Sequence, residues 1–254
     1  MATSPQHVLI TGASSGIGEA LALHYAAPGI ALALIGRDRE RLAVVADACR
    51  TRGAAVESGA IDVTDREALR AWIERIDAAR AVDLVIANAG VSTGRGALGE
   101  DEAAIRRVLA TNIDGVLNTV LPLLACMLAR RHGQIALMSS LAAFRGLPTG
   151  PSYSASKAAV KALGEAWRLK LAPDGVRVSV ICPGFVTTRM TARNNFRMPF
   201  LMSPEKAAAI IARGLARDHG RIAFPLPMAA LCWLAGALPW RLSDAFLRRV
   251  ARAR

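Results

Sequence analysis

The 254 residues suffice for one large α/β domain with an ample apolar core, and no Pro/Gly/Ser-rich linker, internal repeat or low-complexity tract divides them. Formal net charge is +12, and only four of the 32 basic residues are lysines, so the chain attracts anions generally. No nucleic-acid module and no basic run interleaved with aromatics accompanies that charge, which argues against DNA or RNA as a partner. Cys49, Cys126, Cys182 and Cys232 are scattered, without a C-x-x-C pair or a histidine cluster, so no metal site or disulfide framework is expected and a reducing compartment suits the chain.

The first predicted strand, His7–Thr11, starts too near the N-terminus to leave room for a signal peptide, so a cytoplasmic location is expected. The turn Gly12-Ala13-Ser14-Ser15-Gly16-Ile17-Gly18 follows at once, and a helical pattern runs over Gly16–Ala27. Strand, glycine turn and helix together aim backbone N–H groups and a helix N-terminus at a pyrophosphate. The spacing is G-x-x-x-G-x-G with no Gly-Lys-Ser/Thr after it, which excludes a P-loop; a plain strand-to-helix connection is the alternative. Further strands are predicted over Ile30–Ile35, Ala55–Ala60, Ala81–Ala87, Gly133–Met138, Arg177–Ile181 and Ile222–Phe224. Helical periodicity fills Asp38–Arg52, Asp65–Ala79, Glu100–Arg130 and Ser152–Ala172. This alternation predicts a doubly wound (Rossmann) α/β fold: a seven-stranded parallel sheet with helices on both faces, and its ligand beyond the carboxyl ends of the strands. Gly12, Asn88, Ser140 and Gly184 all fall at such ends.

Tyr153 and Lys157 stand four residues apart, hence on one helix face, and Ser140 lies thirteen residues before the tyrosine. A free phenol, with a pKa of roughly 10, exchanges protons poorly at neutral pH. A nearby ammonium favours the phenolate, so the pair is a candidate general acid/base.

These elements in register resemble the short-chain dehydrogenase/reductase family in its single-domain form, from His7 to the helix after Ser203. Asp62-Val63 matches the pair that contacts the adenine in that family. Asn88-Ala89-Gly90 matches the end of its Asn-Asn-Ala-Gly element, with Ala87 replacing the first asparagine. Asn112, Ser140, Tyr153 and Lys157 match its catalytic tetrad, and Pro183-Gly184-Phe185-Val186-Thr187-Thr188 the segment lining the nicotinamide. The resemblance implies an NAD(P)-dependent oxidoreductase moving a hydride between nicotinamide and an alcohol or ketone. Tyr153 would exchange the proton and Ser140, rather than its neighbour Ser139, would hold the substrate oxygen. Lys157 would depress the tyrosine pKa and bind the nicotinamide ribose. Asn112 would bend its helix and position a water. A homodimer or homotetramer built on the two long helices is implied too, with Ala158, Ala159, Ala162 and Ala166 allowing close approach.

After the second strand stand Gly36 and Arg37, where an acidic residue would favour NAD; with Arg39 and Arg41 nearby, NADP is favoured and NAD remains the alternative. Asp38 is a candidate helix N-cap. Residues 189–203, with Phe196, Met198, Phe200, Leu201 and Met202, occupy the place of the family's substrate lid and hint at a hydrophobic alcohol or ketone. The extension 226–254 pairs an apolar stretch, too short to span a bilayer over Met228–Leu238, with a basic segment placing Leu242, Ala245, Phe246 and Val250 on one face. It either covers the substrate mouth or a subunit partner, or rests peripherally on the inner membrane surface. Two further functions stay open: a dinucleotide-binding scaffold without catalysis, and an epimerase or dehydratase using the same proton-handling site.

Overall fold

Short β-branched runs alternating with helical patterns give the layered sheet that the spacing requires. The computed structural model describes residues 5–92, 100–194 and 196–244. Its strands are β1 (His7–Thr11), β2 (Ala31–Gly36), β3 (Ala55–Ala60), β4 (Leu84–Ala87), β5 (Gly133–Met138), β6 (Val176–Pro183) and β7 (Arg221–Phe224). They pair in parallel in the order β3-β2-β1-β4-β5-β6-β7. The winding reverses between β1 and β4, which opens a crevice beyond their carboxyl ends.

The helices are α1 (Gly16–Tyr25), α2 (Arg39–Thr51), α3 (Arg66–Ala79), α4 (Glu102–Leu109), α5 (Gly115–Ala129), α6 (Pro151–Leu171), α7 (Pro204–Ala216) and α8 (Leu226–Ala237). Strand alternation sorts the core into two layers. Val8, Ile10, Leu32 and Leu34 pack with Leu21 of α1, Leu42 and Val45 of α2 and Ile211 of α7. Leu9, Ala33, Ile35 and Val85 pack on the other face with Ile73 of α3, Leu123 and Met127 of α5 and Val160 of α6. The run Glu102–Ala129 is long and apolar enough to cross a membrane by length and composition alone, yet Val116, Val120, Leu123 and Met127 within it are core residues.

Local chemistry starts several helices. Asp38, Asp65, Asp101 and Ser203 each accept a backbone N–H from the residue three positions on. The predicted single helix over Glu100–Arg130 is interrupted: a π-helical turn, Ala110–Asp114, separates α4 from α5. The extra residue in that turn carries Asn112 into the buried interior. The sixth strand runs on through Pro183, two residues past its predicted end, while β4 starts three residues later than predicted. Of the predicted basic segment, Ala245, Phe246 and Val250 lie outside the described residues, as does position 195 of the lid.

One polar network ties three elements at the amino ends of the strands. Asp77 near the end of α3 accepts both Oδ contacts from Arg130 Nη1 at 3.0 Å and the Val82 N–H at 2.7 Å, while Arg130 Nη2 donates to the Val82 carbonyl at 2.6 Å. The pair is half-buried, so removing the carboxylate leaves a guanidinium and an amide without their acceptor. Asp77→Ala should cost about 2 kcal/mol in denaturant unfolding, between an exposed and a fully buried pair; a loss under about 0.5 kcal/mol would match an ordinary surface change.

Candidate active site

At the carboxyl end of β1, Gly12 and Gly16 hold φ of +67° and +61°, conformations that L side chains resist. Gly18 is required by space: a Cβ there would lie 2.2 Å from the Gly12 carbonyl and 2.6 Å from Asn88 Nδ2. The N-terminus of α1 has no side-chain cap, in contrast to the four capped helices, so its amides remain available to an anion. Thr188 packs on this turn, 2.8 Å from where a Gly16 Cβ would stand. The loops after β1 and β4 are laced together by Thr11, whose hydroxyl accepts from Asn88 N and Ala89 N, while Asn88 Nδ2 donates to the Thr11 carbonyl at 2.9 Å. This bare, glycine-lined cradle with free amides fits the diphosphate of a dinucleotide.

The flank of the crevice at β2 and β3 is charged. Gly36 leaves room for Ser14, whose Cβ a side chain at that position would meet at 3.0 Å. Arg37 Nη1 lies 3.3 Å from Asp62 Oδ2 on the exposed surface. Burial would raise the Asp62 pKa, but two hydrogen bonds from Thr64 and the Arg37 charge hold it below the usual carboxylate range. Asp38 caps α2 and also binds Arg41, at 2.9 Å. Val63 is buried behind this edge.

Across the crevice, Ser140, Tyr153 and Lys157 converge. Both Met138 and Ser139 sit at the end of β5, and α6 begins at Pro151, whose fixed φ suits a first helical turn. Lys157 is buried and its Nζ donates to the Met138 carbonyl at 2.8 Å. Ser139 donates to the Lys157 carbonyl at 2.7 Å, so this serine belongs to the scaffold. Ser140 lies near enough to the phenol to offset part of its burial, and its hydroxyl donates to the Pro183 carbonyl at a long 3.4 Å. Asn112 Oδ1 accepts from Val91 N, and Nδ2 donates to Val91 O and Ser156 Oγ, each at 3.0 Å or less, which uses both donors and one of the two acceptor sites. Ser156 in turn donates to the Tyr153 carbonyl at 2.8 Å. Gly90 is the gap in this wall, since a Cβ there would stand 3.2 Å from Asn112 Oδ1 and 3.3 Å from Lys157 Nζ.

The crevice therefore gathers the residues expected from the sequence, with one electrostatic difference. The expectation was that Lys157 lowers the Tyr153 pKa. Instead burial pushes the phenol above its ordinary value, and the opposing influence is the nearby Ser140 hydroxyl. The Lys157 ammonium, 5.7 Å from the ring centre, is committed to Met138. Sequence reasoning also missed Ser156, whose signal was its place one helical turn beyond Tyr153. A cavity of about 750 Å³ between Ala142–Pro148 and the outer side of α6 lies beside this constellation; neither Ser140, Tyr153 nor Lys157 lines it.

Known proteins share this fold. The short chain dehydrogenase family model matches residues 6–198. An uncharacterised oxidoreductase of Myxococcus xanthus is 40% identical over 243 residues, 95% of this chain and 96% of its own. An uncharacterised oxidoreductase of Mycobacterium tuberculosis is 35% identical, over 95% and 97% of the two chains. Among solved structures, a short-chain dehydrogenase from Sphingobium yanoikuyae in complex with NADPH superposes with a TM-score of 0.80 at 26% identity, covering 97% of this chain and 95% of that one. A Mycobacterium paratuberculosis short chain dehydrogenase bound to NAD shares the fold, with a TM-score of 0.78 at 24% identity over 89% and 98% of the chains. The protein belongs to the short-chain dehydrogenase/reductase family of NAD(P)-dependent oxidoreductases.

Burial lowers the Lys157 pKa from 10.5 to about 8. Between those values the unfolded chain holds more proton than the folded protein, so this group's contribution to stability rises as pH climbs through that window. Urea unfolding of the wild type and Lys157→Met should diverge over that window, the wild type gaining about 3 kcal/mol relative to the variant. A pH-independent difference would show that the ammonium is not desolvated.

Proposed function

We propose that the protein interconverts a hydrophobic alcohol and its ketone with NADP(H), Tyr153 acting as general acid/base. The observation that carries this reading is the Tyr153 phenol set beside Ser140 with the buried Lys157 ammonium 5.7 Å from its ring centre. Gly12, Ser14, Ser15, Gly16, Ile17 and Gly18 would bind the pyrophosphate, Asp62 and Val63 the adenine, and Asn88, Ala89 and Gly90 the adjoining ribose region. Pro183, Gly184, Val186 and Thr188 would line the nicotinamide, which when bound supplies or accepts the hydride. Ser140 would orient the substrate oxygen and stabilise charge developing on it. Tyr153 would give that oxygen its proton in reduction and take it back in oxidation.

In this reading, residues 189–203 form the substrate lid. Phe200 and Leu201 are exposed there, Phe185 meets Phe196 edge-on at 5.7 Å, and a bridge from Val186 to Met202 ties the segment to the site. These apolar surfaces favour a hydrophobic substrate. Along α6, Ala155, Ala159, Ala162 and Ala166 are exposed in one stripe that ends at Leu169, which supports a homodimer or homotetramer packed on this helix.

Tyr153→Phe should lower turnover at least about 100-fold while leaving nucleotide affinity unchanged; a variant of near wild-type activity on a panel of apolar ketones would remove the phenol from the mechanism. Cofactor choice rests on Arg37. Its exposed pair with Asp62 is worth at most about 1 kcal/mol, so a 2′-phosphate can recruit the guanidinium at little cost. Arg37→Ala should weaken NADPH binding about tenfold and leave NADH binding nearly unchanged, read by fluorescence titration of both. Equal losses for the two nucleotides would contradict NADP preference.

A further inference from the structure

The helix α8 has two unlike faces, neither of them charged. Met228, Ala229 and Cys232 pack inward on Leu141, beside Ser140, and on Cys182. A Cβ on Gly184 would stand 3.1 Å from Met228 Sδ, so α8 rests directly on the loop expected to line the nicotinamide. Gly236 lets α8 close on the Phe144 carbonyl, 2.3 Å from where its Cβ would be. The segment beyond α8 is clamped as well: Ser243 donates to the Ala235 carbonyl, Arg145 pairs with Asp244 at 2.7 Å, and Arg145 stacks on Trp240 at 4.3 Å.

The outer face is what water meets, and it is apolar. Leu226, Leu231, Trp233, Leu234, Trp240 and Leu242 are each between 48% and 76% exposed. A contiguous surface of this kind marks an interaction site. The charge beside it identifies the occupant. Arg241 follows the patch, and the sequence after Asp244 adds Arg248, Arg249, Arg252 and Arg254, with Phe246 and Leu247 and no acidic residue. The acid at Asp244 is already engaged by Arg145. Exposed leucines and tryptophans next to Arg241, in a chain whose last ten residues are basic in sequence, match the acyl boundary and headgroups of an anionic bilayer. A second copy would bring its own arginines to the same face. The twelve residues of α8 extend only about 18 Å, well short of the ~30 Å hydrocarbon core, so the helix is too short to cross a membrane.

We propose that the outer face of α8, with Arg241 at its end, docks the protein on an anionic lipid surface. The test is co-sedimentation of the full chain, at physiological ionic strength, with phosphatidylcholine vesicles and with vesicles containing phosphatidylglycerol. Binding should be at least tenfold stronger to the anionic vesicles, and lipids brominated in the upper acyl chain should quench the wild-type tryptophan emission. Leu231→Glu with Trp233→Glu should reduce binding at least tenfold while α8's inner contacts and the melting temperature are kept. Absence of wild-type binding overturns the proposal. So does binding that the double variant retains and salt removes, because general basicity would then explain it. A wild-type oligomer that the double variant converts to monomer, with no vesicle uptake, assigns the face to a second copy and overturns it too. The quenching measurement needs no variant, and none of these readouts depends on turnover, so the proposed reaction stands or falls separately.

Discussion

Burying an ammonium among strand ends is costly, and the site is arranged around making that burial tolerable. Lys157 loses its water, and the Met138 carbonyl at 2.8 Å is the partner that replaces part of it. The remaining cost is what brings its pKa to about 8. The same contact ties α6 to β5, and Ser139 repeats the tie in the opposite sense through the Lys157 carbonyl. A helix fastened to a strand end at one residue carries Tyr153, one turn earlier, to a fixed place. Gly90 is part of this constraint, because any side chain there would crowd both Lys157 Nζ and Asn112.

Asn112 fastens the opposite wall. Its amide holds both the N–H and the carbonyl of Val91 and reaches Ser156, which holds the Tyr153 carbonyl. The chain from the β4 loop through Asn112 to the tyrosine turn thus consists of satisfied, largely buried hydrogen bonds, the kind that fix one geometry. The π turn at Ala110–Asp114 is the local departure that makes it possible. A regular α-helix would have kept its register through residue 112; the inserted residue shifts it. Through these three bonds Asn112 holds the Val91 backbone and the Ser156 hydroxyl, with one acceptor site of Oδ1 left over.

Much of this was readable from the chain because it is local. Strand, glycine turn and helix are adjacent in sequence, and the four-residue interval from Tyr153 to Lys157 becomes a shared face in any α-helix. What escaped is set by tertiary contact. The Arg37–Asp62 pair joins residues 25 apart, the Asn112–Ser156 bond residues 44 apart, and the Asp77–Arg130 pair residues 53 apart. No periodicity encodes such pairs. The bend at Asn112 was expected from the resemblance alone, because the apolar pattern there reads as continuous helix; the bonds at Val91 and Ser156 accompany the π turn that makes it. Spacing gave the proximity of Lys157 to the tyrosine, whereas the burial that raises the phenol pKa depends on the packed fold.

The division of labour between Ser139 and Ser140 shows how fold geometry settles a chemical choice. Neighbouring residues at the end of a strand point to opposite faces. Ser139 follows Met138 out of β5 with its hydroxyl under α6, on the Lys157 carbonyl, and it is nearly inaccessible. Ser140 turns the other way, and its backbone leaves the sheet to cap the short 3₁₀ turn Leu141–Ala143, with Oγ accepting from Ala142 N at 3.1 Å. That leaves its proton with only the long contact to Pro183 besides the phenol. A hydroxyl so placed has a donor to spare for an oxygen arriving in the crevice, and Ser139 does not. The turn that frees it is also where Leu141 meets α8, so the surface helix and the reacting serine share one short piece of backbone.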